Sequence, residues 1–152
     1  MSDVRSMAEL APLIISAVEA GGEFKLVTRG TSMLPLLRDG VDTAVLVKKP
    51  VRLKKGDVPL FVRENGQFVL HRAVKVYKDG SFDARGDNQG LTEKGVKDTQ
   101  VVAVMTAVIR DGVRTDFGSK KDRAYRRKLP FAYGKRCLRR FLARVKRKIF
   151  GA

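Results

Sequence analysis

Apolar residues recur along this chain at two spacings, and the change from one to the other divides it. From Ser6 to Ala20, Met7, Leu10, Leu13, Ile14, Ala17 and Val18 fall three and four residues apart, which predicts an amphipathic helix closed by Gly21-Gly22; only Pro12 argues against it. The spacing then drops to two. Phe24 to Arg29 and Thr43 to Lys49 alternate as strands, the second broken at Lys49-Pro50. Val58 to Val62 and Gln67 to Val76 flank Glu64-Asn65-Gly66, whose Asn-Gly pair supplies the positive φ angles of a tight hairpin turn. Tyr77 to Arg85 turns at Asp79-Gly80, and Gly86-Asp87-Asn88 opens a polar loop. Gln100 to Arg110 is the longest apolar strand, turned at Asp111-Gly112 into Val113 to Phe117. These elements predict a mainly β, antiparallel body with terminal helices, divided as 1–22 (helix), 23–118 (β-body) and 119–152 (basic tail).

Charge separates the tail from the body. Residues 119–152 hold 14 Lys or Arg and one acid, Asp122, so they carry +13 of the net +16 of the 152-residue chain. Leu138, Phe141, Leu142, Val145 and Ile149 share one helical face, with Phe150 beyond them, while Arg139, Arg140, Arg144, Lys146, Arg147 and Lys148 fill the rest. That is the pattern of a basic amphipathic helix lying on an anionic membrane, where each cation near the lipid contributes about 1 kcal/mol. Nucleic acid ranks second, because the same charges neutralise phosphates but do not use the apolar face. A third reading docks the apolar stripe on the β-body. Gly118-Ser119-Lys120 reads as a hinge between separable parts. The lone Cys137 excludes an internal disulfide and reads as a small apolar filler. No 18-residue apolar run or basic leader is visible, and the oligomeric state is not legible.

Candidate chemistry centres on Ser32, in a turn limited by Gly30 and Pro35 that follows the first strand. A serine hydroxyl is a poor nucleophile at neutral pH and needs a base from elsewhere in the chain. His71 is the only histidine, placed within the β-rich run Phe68 to Val76, and an imidazole with an ordinary pKa of about 6.5 is mostly neutral at pH 7. Taken alone, Ser32 reads equally as an ordinary turn residue and His71 as a packed strand residue.

The order of motifs resembles a known family. Gly30-Thr-Ser32-Met-Leu-Pro35, Lys55-Gly-Asp-Val-Pro-Leu-Phe61, His71-Arg72, Gly86-Asp-Asn88 and Val101-Val-Ala-Val104 resemble the successive boxes of the signal peptidase I and LexA-like serine peptidase superfamily, over about residues 24 to 110. Histidine followed by arginine is similar to the branch with a Ser/His rather than a Ser/Lys pair. The resemblance implies a serine endopeptidase that needs no metal or cofactor and cleaves a precursor or leader peptide after small side chains. Ser32 is then the nucleophile and His71 the base. Asp87, Thr92 and Glu93 stand as alternatives for the group that steadies His71. The Ser32 backbone N–H, with Thr31 or a neighbour, meets the oxyanion; Met33 and Pro35 shape the turn, and Arg72 serves structure or orientation. One departure is that Thr92 and Glu93 match the family's acid only in approximate register. Family members typically carry transmembrane anchors, so a chain showing none is expected in the cytosol or on the inner membrane face. The competing expectation is a non-catalytic module of the same fold that binds membrane or nucleic acid through its tail.

Overall fold

The computed structural model describes residues 6–150, without the side chain of Phe150; residues 1–5 of the expected N-terminal segment and residues 151–152 lie outside the described ones. Helix α1 (Met7–Glu19) starts with a capping box, in which Ser6 Oγ accepts from the Glu9 N–H and Glu9 Oε2 accepts from the Ser6 N–H. This reciprocal pair satisfies two donors that a helix start leaves unpaired. Ala11, Ile14 and Val18 are its buried residues, with Met7 and Leu10 packed beside them; Leu13, expected on this face, is turned outward.

Among the described residues nine antiparallel strands follow: β1 (Phe24–Val27), β2 (Thr43–Val47), β3 (Val58–Val62), β4 (Phe68–Leu70), β5 (Arg72–Val76), β6 (Phe82–Arg85), β7 (Glu93–Val96), β8 (Val101–Arg110) and β9 (Val113–Asp116). The larger sheet runs β1-β2-β8-β3-β4, with β9 beside the far half of β8, and the smaller runs β5-β6-β7. Strand β8 is the axis: β2 lies along one edge, while β3 and β9 share the other, pairing with Val101–Met105 and Ala107–Arg110. Buried on both faces over most of its length, β8 reads as an apolar run rather than an alternation.

Two expectations change here. The run Gln67 to Val76 is not one strand. It breaks at His71, so β4 closes the larger sheet against β3 while β5 opens the smaller one. The Glu64–Gly66 loop closes with three residues between the paired Arg63 and Gln67, and only Gly66 takes a positive φ. A three-residue hairpin loop needs its left-handed residue only at the last position, which Gly fills without strain. The loop after Asn88 also yields β7, whose Glu-Lys-Gly-Val composition carries no alternation.

Helix α2 (Lys120–Phe150) is a single helix that lies back on the body. The Ser119 hydroxyl accepts from the Asp122 N–H, and the buried Asp122 carboxylate accepts from the Gly118 N–H, so the expected hinge is a fixed helix start. From there Tyr125 donates to Asp87, Tyr133 lies under the Arg85 guanidinium, and Arg136 and Arg140 line a cavity with His71. With Leu129, which lines a neighbouring cavity against the body, these residues recur at three and four residue steps and define the docked face. Leu138, Phe141, Leu142 and Ile149 fall on the opposite side and are between 55% and 67% exposed. The apolar stripe therefore faces away from the body, and the reading in which it docks there is overturned. Because Tyr125 anchors α2 to a buried carboxylate, Tyr125→Phe is expected to cost about 1 kcal/mol, the worth of one hydrogen bond. Removing residues 119–152 is expected to lower the unfolding midpoint by several degrees, measured by calorimetry. A truncated protein as stable as the full chain would restore the separable tail.

Candidate active site

The turn that carries Ser32 is held at both ends and from above. At its base, the Gly40 N–H donates to the Thr28 carbonyl at 2.8 Å and the Gly30 N–H to Asp39 Oδ1 at 2.8 Å. Downstream, Arg110 at the end of β8 donates to the carbonyls of Pro35 and Leu36 and to the fully buried Asp42, which also receives Arg38. Burial alone would raise the Asp42 pKa, but the bonds from Arg38 and Arg110 outweigh it and hold the carboxyl well below its usual range.

From above comes the Gly86-Asp87-Asn88 loop. The Asn88 N–H donates to the Ser32 carbonyl at 2.8 Å and Asn88 Nδ2 to the Thr31 carbonyl at 3.1 Å. The Asp87 N–H approaches Met33 Sδ at 3.5 Å. A Cβ at Gly86 would sit 2.5 Å from the Ser32 carbonyl oxygen, closer than non-bonded atoms approach. Position 86 therefore has to be glycine for backbone to meet backbone here. The Ser32 N–H takes no part in the backbone hydrogen bonds of this turn.

His71 arrives from the other side, at the break between β4 and β5. Its N–H reaches the Pro59 carbonyl at 3.4 Å, its ring meets the edge of Phe61, and only 4% of the residue is exposed. Ser32 and His71 both line a cavity of about 400 Å³, with the edge strand β4 along one side. No hydrogen bond joins Ser32 Oγ to His71, and His71 Nδ1 is buried without a partner. Burial pushes the His71 pKa down to about 4, helped by the positive charge of Arg63 and opposed by Glu93 and Asp87. This lies below the range of about 6 to 7.5 expected of a lightly perturbed imidazole. The His71 imidazole is therefore uncharged over the neutral pH range.

Neither carboxylate offered as a third member steadies His71. Asp87 receives Arg72 Nε at 2.8 Å on one oxygen, and Arg72 Nη2 at 2.7 Å and Tyr125 OH at 2.8 Å on the other. Arg72 Nη1 completes the cluster on the Gly56 carbonyl at 2.8 Å. Both oxygens of Glu93 receive Arg63. Thr92 lines a larger cavity of about 880 Å³, shared with His71, Arg63, Glu93 and the arginines of α2. Thr31 is exposed and contributes its carbonyl to Asn88; Pro35 follows a cis peptide bond and contributes its carbonyl to Arg110. Sequence reasoning missed Asn88, Arg63 and Tyr125. Asn88 stood inside a box already singled out, whereas Arg63 and Tyr125 reach the site only through the fold.

No protein-family model, curated protein or solved structure matches the chain. Its functional reading therefore rests on these residues and their geometry. Gly86→Ala is expected to push the Ser32 turn outward and to cost about 1 to 3 kcal/mol, the usual range for an overpacked contact. Urea unfolding measures the cost, and a neutral result would mean that the two loops do not meet so closely.

Proposed function

We propose that the protein is a serine endopeptidase of the signal-peptidase type, acting on precursor or leader peptides through Ser32 and His71. The observation that carries this reading is the shared cavity, lined both by a turn serine braced by Gly86 and Asn88 and by a histidine that burial keeps neutral. His71 takes the Ser32 proton as Oγ attacks the peptide carbonyl carbon, and the Ser32 N–H stabilises the oxyanion. The tetrahedral intermediate collapses, and His71 passes the proton to the departing amine. Water, deprotonated by His71, then attacks the acyl ester and releases the acid, returning the proton to Ser32. The Ser–His hydrogen bond closes when substrate fills the cavity, since such contacts are often looser in an unliganded site. A substrate strand pairs with the open edge of β4, whose residues Phe68, Val69 and Leu70 line the same cavity. Arg72 and Asp87 hold the frame, and Glu93 acts on His71 by its charge.

Ser32→Ala and His71→Ala are each expected to abolish cleavage, with the double variant no worse, because the two act as one unit. Cleavage by Ser32→Ala at the wild-type rate would defeat the assignment. The pH profile gives an independent check. Since only neutral His71 accepts the proton, kcat/KM is expected to stay flat at neutral pH and to fall as pH drops through about 4. Arg63→Gln removes a repelling cation and releases Glu93, so it moves that limb upward. A limb above pH 6.5 that ignores Arg63 would contradict the account.

A second reading concerns where the enzyme works. The outward stripe of Leu138, Phe141, Leu142 and Ile149, flanked by Lys146 and Lys148, fits the surface of an anionic bilayer. Among the described residues no helix is long and apolar enough to cross one. The full chain is expected to bind vesicles containing phosphatidylserine and to leave neutral vesicles largely free, with binding weakened by salt. Replacing Phe141 and Leu142 with Ser is expected to reduce binding at least several-fold in a sedimentation assay. Tight binding to RNA with no vesicle preference would favour nucleic acid instead.

A further inference from the structure

The face of α2 that lies on the body brings a concentrated positive charge to the catalytic histidine. Arg136, Arg139 and Arg140 line the cavity of about 880 Å³ that His71 also lines. Among the described residues, none of the three forms a salt bridge. The one carboxylate lining this cavity, Glu93, is already gripped by Arg63, whose Nε and Nη2 reach it at 2.7 to 3.0 Å. The Arg140 guanidinium lies close to Gly90, where an added Cβ would fall 2.9 Å from its Nη1.

We propose that these three arginines form a carboxylate-binding subsite, and that the preferred substrate is a peptide bearing acidic side chains close to the scissile bond. This rests on the peptidase reading for its place in catalysis, but not for the binding itself. A guanidinium presents paired donors that match a carboxylate, and the Arg63–Glu93 contact is the same recognition already made inside the cavity. Location separates a peptide from a nucleic acid as the occupant. The two cavities share Arg63, His71, Asn88 and Gln89, so a peptide lying in the Ser32 cavity has the arginine-lined cavity beside it. The cations of the outward face, in contrast, are out of reach of the site. Charge at α2 therefore divides into an inner set that selects substrate and an outer set that meets a surface.

The test measures equilibrium binding to full-length Ser32→Ala, so that no substrate is consumed. The probes are a labelled, C-terminally amidated Ala-rich peptide with Glu on both sides of a central Ala-Ala pair and the same peptide with Gln in place of Glu. A third probe, the Gln peptide with a free C-terminal carboxylate, distinguishes side-chain from terminal recognition. The Glu peptide is expected to bind about tenfold more tightly than the amidated Gln peptide, with the preference shrinking as salt is raised. Adding Arg136→Gln and Arg140→Gln to Ser32→Ala is expected to erase the preference, and Arg136→Lys with Arg140→Lys to retain part of it. Equal affinity for the Glu and amidated Gln peptides would overturn the proposal, as would a preference confined to the free C-terminus or displacement of the Glu peptide by a single-stranded RNA oligonucleotide at lower concentration than by unlabelled Glu peptide. Cleavage of the same peptides by wild-type protein decides the peptidase reading separately. Binding preference without cleavage would remove the enzyme and leave the subsite, whereas cleavage without preference would do the reverse.

Discussion

The site depends on one buried ion pair, Arg72 with Asp87. Both side chains are nearly inaccessible, and each follows or precedes a residue that matters: Arg72 comes directly after His71, and Asp87 directly before Asn88, which holds the Ser32 carbonyl. The bidentate contact therefore sets the start of the smaller sheet against the loop that braces the serine turn. Its net contribution to stability is modest, since taking two charges out of water costs about as much as their attraction returns. What it supplies is register. Losing either partner would strand the other in the interior, at about 3 to 5 kcal/mol, and two packed hydrocarbons in its place would preserve stability without fixing where His71 lies.

Around that pair the fold joins elements far apart in the chain. Strand β8 joins the β1-β2 and β3-β4 pairs of the larger sheet and ends in Arg110, whose guanidinium ties Asp42 to the carbonyls after the Ser32 turn. Helix α2 closes the arrangement by placing Tyr125 on Asp87 and its arginines beside His71. The C-terminal segment is thus part of the site as well as the most charged part of the molecule. Its polar and aromatic face is inward and its apolar stripe outward, the reverse of an ordinary surface helix.

Much of this was legible in the chain. Period-two alternation located β1 and β2, the long apolar run located β8, and turn residues at Asn65-Gly66, Asp79-Gly80 and Asp111-Gly112 marked the reversals beside β3, β6 and β9. The mainly β body with terminal helices follows from them. Local pattern failed where tertiary pairing decides the outcome. His71 interrupts an unbroken β-rich run because the two halves pair in different sheets, and β7 has no alternation because much of it is exposed. The orientation of α2 was also illegible, because amphipathicity identifies an apolar face and leaves open whether the body or something else covers it. At the site, Ser32 and His71 were picked from residue chemistry joined to the order of motifs and come to one cavity, whereas Asp87 and Glu93 prove to be held by arginines. A carboxylate's partner is set by geometry that no short window of sequence contains.

The reading of Ser32 as a nucleophile activated by His71 has a direct chemical test. An alkyl fluorophosphonate forms a phosphonyl ester with an activated serine oxygen, releasing fluoride as the proton passes to the base, and the adduct is located by peptide mass spectrometry. The account requires labelling on Ser32 in the full-length protein at neutral pH, and its loss when His71 is replaced by Asn. Absence of an adduct at Ser32, or equal labelling in the Asn variant, would contradict it.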